Sequence, residues 1–217
     1  MVVIFDLDGT LVNTITDLGN ACNHALQAFD LPTHSIAEYP FLVGNGINKL
    51  IERALPEALR TEEMISKVRR HFIAYYDVHS YDFSVPYDGI MEVLQTLKKQ
   101  PNTYLAVASN KYNEATQRII DHFFPQVFDV VFGEQATVPR KPNPQIVENI
   151  LQTLPQNALD KIYFVGDSLV DIQTARNAKI PVISCTWGFC SAETIRDAKP
   201  DFIVDKPQEL MAIFEQE

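Results

Sequence analysis

The chain has 217 residues, of which 46% are hydrophobic and 21% are charged, and its formal net charge is −10. This length allows one large domain or a core domain with a modest insertion. The acidic balance disfavours a nucleic-acid partner, because nucleic-acid binding depends on Lys and Arg side chains that neutralise phosphates. It does not exclude small anionic ligands, since a local site can be positive on an acidic protein.

Cysteine usage and hydropathy further indicate the compartment and the kind of protein. The three cysteines, Cys22, Cys185 and Cys190, contain no CxxC pair, which favours buried free thiols in a reducing compartment over disulfides or structural zinc. The first residues show no signal-peptide pattern, and no apolar stretch approaches the roughly 18–20 residues that span a membrane. We expect a cytoplasmic protein without a membrane partner, either a monomer or a homodimer.

The chain opens with a predicted strand that ends in two acids. Four apolar residues, Val2 to Phe5, are typical of a strand buried on both faces. Asp6 and Asp8 follow, and residues i and i+2 of extended backbone point to the same side. Two carboxylates about 4 Å apart repel by roughly 4 kcal/mol at an effective dielectric near 20. A bound cation would relieve that repulsion.

Residues 14–83 have the apolar spacing of helices, with no convincing strand before residue 84. A first amphipathic run begins at Ile15, and Ser35 to Glu38 has the spacing of a capping box. Further runs cover residues 47–55 and begin again near Thr61. This segment is predicted to be an inserted helical domain.

From residue 85 onward, strand and helix patterns alternate, which indicates a parallel sheet with helices on both faces. The predicted strands cover residues 104–108, 127–132, 162–165, 182–185 and 202–204. We also expect Asn113 to cap one helix and Asn143 another, with Pro144 at its first position. The predicted fold class is α/β, with a Rossmann-like doubly wound sheet as the core and an inserted α-helical bundle as a cap. We expect residues 1–13 and 84–217 to form the α/β core and residues 14–83 to form the cap.

Polar residues follow three of the predicted strands, and ligands of open parallel sheets bind beyond the carboxyl ends of strands. A lysine lies in a loop before a helix. The candidate residues are Asp6, Asp8, Ser109, Asn110, Lys141, Asp167 and Asp171. Carboxylates without nearby His or Cys favour a hard ion, Mg²⁺ before Ca²⁺ or zinc. Mg²⁺ is commonly completed by a substrate phosphate, which points to phosphoryl transfer.

At these residues the chain resembles the haloacid dehalogenase-like hydrolases, specifically phosphatases of the phosphoglycolate phosphatase type. FDLDGTLV is similar to the first motif of that superfamily, and ASNK at 108–111 is similar to the second. Lys141 in RKPNP corresponds to the third motif, and GDSLVD at 166–171 to the fourth. The four motifs occur in order, and with the cap the resemblance covers essentially the whole chain.

The resemblance implies a mechanism with a covalent intermediate. Asp6 attacks phosphorus and forms an aspartyl-phosphate. Asp8 protonates the leaving alkoxide and then deprotonates the hydrolytic water. Mg²⁺ is held by the Asp6 carboxylate, the Asp8 backbone carbonyl and Asp167, with Asp171 binding directly or through water. The phosphoryl oxygens are bound by Ser109, Asn110 and Lys141.

A glycine loop in the predicted cap has two interpretations. Gly44, Asn45 and Gly46 can form a flexible turn, or they can bind substrate, as the resemblance of VGNGINKLIERAL to the phosphoglycolate phosphatase cap segment implies. A helix amino terminus there would suit a substrate carboxylate. Lys49 and Arg53 are candidate anion contacts, although a solvated helix face is the simpler interpretation.

Simpler interpretations also exist for the fourth motif. Asp167 can cap the following helix, Asp171 can support its first turn, and Ser168 can either cap that helix or bond an acid of the site. The same helix ends at Ala178 and Lys179, where relatives usually carry a glycine, so it must terminate differently.

The leading hypothesis is a Mg²⁺-dependent phosphatase that acts on a small phosphorylated metabolite, 2-phosphoglycolate first. A β-phosphoglucomutase-like phosphotransferase or a pyrophosphatase of the same fold is the alternative. A dehalogenase would not need Asp8 and Asp167, so the presence of these acids argues against that activity. A non-catalytic phosphate-sensing module would normally lack one of the acids or the lysine, and all of them are present in this sequence.

Overall fold

The computed structural model describes residues 1–215, and the side chain of Gln156 is left out of the description. The chain divides into two compact units, one formed by Met1–Val12 with Pro86–Glu217 and the other by Asn13–Val85. The first unit contains a six-stranded sheet, and the second consists mainly of helices. Among the helices of the described residues, none is both long and apolar enough to cross a membrane.

The strands in chain order are β1 Val2–Phe5, β2 Val12–Asn13, β3 Val85–Pro86, β4 Tyr104–Tyr112, β5 Val130–Glu134, β6 Ile162–Gly166, β7 Val182–Cys185 and β8 Phe202–Val204. The α-helices are α1 Ile15–Gln27, α2 Tyr39–Leu42, α3 Ile47–Ala54, α4 Glu62–His79, α5 Ile90–Lys98, α6 Asn113–Phe123, α7 Gln145–Thr153, α8 Leu169–Ala178, α9 Ala192–Asp197 and α10 Glu209–Phe214. The short strands β2 and β3 lie where the chain passes from one unit to the other.

The sheet is parallel and runs in the order β5-β4-β1-β6-β7-β8. All four residues of β1 are buried, as the apolar run at the start of the chain predicts. Phe5 pairs with Val107 on one side and with Val165 on the other. The residues that follow these three positions therefore emerge at one edge of the sheet. The predicted α/β fold with its doubly wound parallel sheet is confirmed.

In the helical unit, α1 packs mainly against α4. The carboxylate of Asp17 on α1 is buried and accepts hydrogen bonds from the backbone N–H groups of Phe83 and Ser84, and from the Ser84 hydroxyl at 2.6 Å. These bonds satisfy a charge that burial would otherwise make costly. They connect the first helix of this unit to its last residues. The expected capping box is present, with Ser35 and Glu38 bonded to each other.

Several local predictions are wrong by a few residues. The strand expected over 104–108 continues to Tyr112, and the one expected over 127–132 is Val130–Glu134. Asp129 explains the second shift, because its carboxylate accepts from the Leu105 N–H and from Lys98 instead of lying within the strand. The strand β2 and the helix α9 were not anticipated, since neither is long enough to show a period.

Two expected helix caps are also wrong. The Asn113 side chain accepts from the Gly133 N–H, and the N-cap of α6 is Tyr112. Pro144 is itself the N-cap of α7, and the Asn143 side chain accepts from the N–H of Gln145, the first residue of that helix. Asn113 therefore bonds to the neighbouring strand β5, whereas Asn143 bonds the first residue of α7 although it is not the N-cap.

Candidate active site

The Lys141 ammonium lies between two aspartates at the carboxyl edge of the sheet. Its Nζ is 2.8 Å from Asp6 Oδ1 and 2.7 Å from Asp171 Oδ1, and its side chain is only 3% exposed. Asp6 follows β1 directly, and Asp171 lies in the first turn of α8. Removing the lysine would leave two buried carboxylates without their cation, which typically costs several kcal/mol. The three groups form the centre of the site.

Asp167 follows β6 and is fixed by two donors. The Thr10 hydroxyl donates to its Oδ1 at 2.9 Å, and the Phe189 N–H donates to its Oδ2 at 2.8 Å. Two glycines leave space for this carboxylate: a Cβ added at Gly9 would lie 2.3 Å from Asp167 Oδ2, and one added at Gly188 would lie 2.3 Å from its Cβ. Gly9 also has a φ of +88°, so glycine is favoured there for two reasons.

Asp171 both caps a helix and contributes to the site. Its Oδ2 accepts from the N–H and hydroxyl of Ser168, which forms a capping box at the start of α8. Its Oδ1 accepts from Lys141. Ser168 therefore has both of the roles considered for it, since it caps the helix and donates to an acid of the site.

The carboxylates of Asp6, Asp167 and Asp171 are close enough to share a cation. Each offers an oxygen within 4.8 Å of the others, and all three residues are buried. Burial, followed by repulsion from Asp171, raises the pKa of Asp6 to about 8, although Lys141 acts in the opposite direction. Burial and Asp171 likewise raise the pKa of Asp167 to about 7.

These residues fit a divalent ion, because every donor is a carboxylate oxygen and a hard cation would offset both the burial of charge and the repulsion from Asp171 that raise the two pKa values. For Lys141, burial acts to lower the pKa, but the Asp171 and Asp6 carboxylates outweigh it and the pKa is raised above its usual value. The lysine therefore remains charged beside the acids.

Asn110 and Ser109 lie at the end of β4, next to the lysine loop. The Asn110 amide accepts from the Lys141 N–H at 2.9 Å and donates to the Lys141 carbonyl at 3.0 Å. The Ser109 hydroxyl is buried and accepts from the Lys111 N–H at 3.2 Å. The structure thus gives the asparagine a supporting contact that the sequence did not predict.

The Asp8 carboxylate points to a different partner from the other acids. Both of its oxygens accept from Lys111 Nζ, at 2.8 and 2.9 Å. The lysine side chain is 3% exposed and that of Asp8 is 21% exposed. No role was predicted for Lys111, although it is the last residue of the ASNK motif. The available signal was a lysine three residues beyond the predicted apolar strand 104–108.

The glycine loop belongs to the helical unit. Gly44, Asn45 and Gly46 all have positive φ, at 98°, 62° and 81°, and Gly46 is the N-cap of α3. The Arg53 guanidinium, through Nη1, donates to the carbonyls of Leu42, Val43 and Gly44 at 2.9, 2.8 and 3.2 Å. Lys49, the other candidate anion contact, pairs with Glu52 on an exposed face. Arg53 therefore holds the loop in shape.

Comparison with known proteins supports the same family. A family model described as haloacid dehalogenase-like hydrolase matches residues 3–185. A phosphoglycolate phosphatase of Pasteurella multocida is 34% identical, covering 97% of this chain and 96% of the relative. One from Vibrio parahaemolyticus is 32% identical, covering 97% of this chain and 94% of the relative. The crystal structure of a predicted phosphoglycolate phosphatase from Haemophilus somnus has a TM-score of 0.88 at 32% identity, covering 99% of this chain and 97% of that one.

Proposed function

The chain belongs to the haloacid dehalogenase-like hydrolases and is a phosphatase of the phosphoglycolate phosphatase type, and we propose that it hydrolyses 2-phosphoglycolate through an aspartyl-phosphate. The observation that carries this proposal is the buried cluster of Asp6, Asp167 and Asp171 around Lys141. The relatives named phosphoglycolate phosphatase support the choice of substrate.

In the first step we assign Asp6 as the nucleophile and Asp8 as the general acid. A carboxylate oxygen of Asp6 forms a bond to phosphorus while the bond from phosphorus to the ester oxygen breaks. Asp8 gives its proton to that oxygen, so the leaving group departs as an alcohol. Lys141 keeps a positive charge beside the reacting oxygens, where negative charge develops.

In the second step water attacks the phosphorus of the aspartyl-phosphate. Asp8, now ionised, takes a proton from that water, and the bond from phosphorus to the Asp6 oxygen breaks. Inorganic phosphate leaves and Asp6 returns as a carboxylate. Asp8 therefore ends the cycle with the proton that it gave up in the first step.

Asp6, Asp167 and Asp171 are the residues that we assign to Mg²⁺, with the Asp8 backbone carbonyl retained as a further ligand from the family resemblance. When bound, the ion supplies positive charge that offsets the carboxylates and the phosphoryl oxygens. The hydroxyl of Ser109 and the ammonium of Lys141 are assigned to the phosphoryl group. The amide of Asn110 is assigned to the same group through the N–H that it does not donate to Lys141.

Substrate selection is assigned to the helical unit, which we propose to be the cap. Gly44, Asn45 and Gly46 precede the amino terminus of α3, where backbone N–H groups suit a carboxylate. The bonds from Arg53 give this loop a defined shape. A defined loop of this kind can discriminate between the carboxylate of 2-phosphoglycolate and an uncharged group.

The test is phosphate release across a panel of esters, measured as kcat/KM with and without Mg²⁺. We expect 2-phosphoglycolate to give the highest value, and the activity to require the ion and to be lost in Asp6→Asn. A higher value for pyrophosphate would reassign the substrate. Isomerisation of a sugar phosphate that a bisphosphate stimulates would favour the mutase. Full activity without Mg²⁺, or in Asp6→Asn, would contradict the mechanism.

A further inference from the structure

Lys111, a buried lysine, forms an ion pair with Asp8. Of Asp6 and Asp8, the two acids that follow β1, Asp8 has the more exposed side chain. Lys111 Nζ contacts both Asp8 oxygens, and the Lys111 side chain is 3% exposed against 21% for Asp8. The ammonium therefore lies behind the carboxylate as seen from solvent. The lysine is placed to hold the acid, and the acid is placed to meet a ligand.

The backbone of Lys111 is itself firmly anchored. Its N–H donates to the Ser109 hydroxyl at 3.2 Å, and its carbonyl accepts from the Thr116 hydroxyl at 3.2 Å. Gly133 also packs closely, because a Cβ added there would lie 2.6 Å from the Lys111 carbonyl oxygen. A lysine fixed at its base and buried along its length gives its ammonium a defined position.

The two lysines of the site form ion pairs with different acids. Lys141 pairs with Asp6 and Asp171, whereas Lys111 pairs with Asp8. The nucleophile and the general acid of the proposed mechanism, two residues apart in the chain, therefore have separate cationic partners. Such an arrangement keeps the Asp8 carboxyl from turning toward the cation that holds Asp6.

We propose that Lys111 is the positioning residue of Asp8, and this inference rests on the proposed function, in which Asp8 protonates the leaving group. Whichever Asp8 oxygen carries the proton, the other still accepts from the ammonium, so the lysine holds the carboxyl group in place beside the ester. Lys111 does not touch the reacting atoms itself. Misplacing a catalytic group by about 1 Å can cost on the order of a hundredfold in rate.

Leaving groups of different basicity separate this role from general structural support. An alkyl ester such as 2-phosphoglycolate needs a proton on its departing oxygen, whereas the phenolate of p-nitrophenyl phosphate leaves without one. The comparison uses kcat/KM, because this quantity reports the steps up to the first bond cleavage. The variants are Lys111→Met, which removes the charge, and Asp8→Asn, which removes the acid. Lys98→Met is the control, since Lys98 forms a more exposed ion pair with Asp129 elsewhere in the same unit.

We expect Lys111→Met to lower kcat/KM for 2-phosphoglycolate about a hundredfold, the lower end of a general acid's contribution, and for p-nitrophenyl phosphate less than about fivefold. Asp8→Asn should show the same selectivity more strongly, and Lys98→Met should show neither loss. Should Lys111→Met fail to fold, Lys111→Arg decides the question, because it keeps the charge but moves it. It should lose activity on the alkyl ester selectively, though less.

Equal losses on both esters in the Lys111 variants, together with selective loss in Asp8→Asn, would overturn the positioning role and leave the proposed function standing. An absence of selectivity in Asp8→Asn would overturn the acid role of Asp8, and the inference about Lys111 with it. Thermal unfolding of each variant identifies a loss that comes from misfolding, which lowers both rates and Tm together.

Discussion

The side chain of Asn110 forms two hydrogen bonds with the backbone of Lys141, a residue 31 positions away in the chain. Its carbonyl oxygen accepts from the lysine N–H, and its amide donates to the lysine carbonyl. Lys141 in turn places its ammonium 2.8 Å from Asp6 and 2.7 Å from Asp171. One amide at the end of β4 thus supports the lysine loop from which the central ion pairs are made.

We predict that Asn110→Ala lowers both stability and activity. Two lost hydrogen bonds should cost about 1–3 kcal/mol of unfolding free energy. A less fixed Lys141 should lower kcat about tenfold or more, since small displacements of a charged group near the reacting atoms are costly. The measurements are urea unfolding and steady-state kinetics with 2-phosphoglycolate.

Asn143→Ala is the matched control, because Asn143 is exposed in the same loop and makes a local bond to the Gln145 N–H. It should change kcat less than about twofold, as expected for a surface substitution away from the site. Wild-type kcat in Asn110→Ala would show that the lysine does not need this support.

The stability of the metal-free protein should fall as the pH rises from about 4 to about 8. Asp6 and Asp167 have an ordinary pKa of 3.8 when unfolded, and burial raises them to about 8 and about 7 in the folded state. Between these values the unfolded state has released protons that the folded state retains, so unfolding becomes more favourable with rising pH. Added Mg²⁺ should reverse the loss, because it binds the ionised carboxylates.

The check on this prediction is Tm against pH, with and without Mg²⁺. Stabilisation by the ion should be larger at pH 8 than at pH 5. Asp167→Asn should flatten the metal-free profile and weaken the effect of Mg²⁺. The prediction would be contradicted if the metal-free Tm rose between pH 5 and 8 in the wild type and rose equally in this variant. That result would show that folding does not raise the pKa values of these carboxylates.

Replacing Arg53 should weaken substrate binding at the glycine loop and leave the chemical step almost unchanged. Arg53→Met removes a charged donor from the carbonyls of Leu42, Val43 and Gly44. Bonds of this type contribute about 1.5–3 kcal/mol. We expect KM for 2-phosphoglycolate to rise severalfold while kcat changes little. Lys49→Met, on the exposed face of the same helix, should leave both constants unchanged, and an equal rise in KM in that variant would remove the special role of Arg53.

Much of the fold and of the site could be predicted from the sequence because the strongest signals are local. The apolar run of β1 and the acids that follow it lie within eight residues, and the parallel sheet then places Asp167 beside Asp6 through the register of β1 and β6. Alternating strand and helix patterns indicated that sheet, since each pattern spans enough residues to show its period.

Contacts between distant segments could not be predicted in the same way. The partners of Lys111 and Arg53 are a carboxylate 103 positions away and the carbonyls of a loop about ten positions away. Nothing in the spacing of residues specifies such partners, because a lysine or arginine can extend in several directions. Asn113 is a further example, since it resembles a helix cap in sequence but accepts from the Gly133 N–H, 20 positions away.

The end of α8 offers a test of backbone strain. Lys179 occupies the left-handed region with φ +57° and ψ +40°, just after α8, where the family resemblance leads us to expect glycine. We predict that Lys179→Gly is more stable than Lys179→Ala by about 1 kcal/mol, because both lose the charge and only alanine keeps the Cβ that is strained there. Chemical denaturation of the two variants measures the difference. Equal stabilities would mean that this helix end carries no strain.

In the mechanism that we propose, Asp6 becomes phosphorylated because Lys141 and a divalent ion neutralise the acids around it. The most direct measurement is acid quenching of the enzyme during turnover of 2-phosphoglycolate with Mg²⁺, followed by mass spectrometry of the peptide that contains Asp6. We predict a phosphoryl group on Asp6 that hydroxylamine removes, and none in Asp6→Asn or without the ion. Rapid turnover with no phosphoryl group on Asp6 at any quench time, or with the group on another residue, would contradict this account.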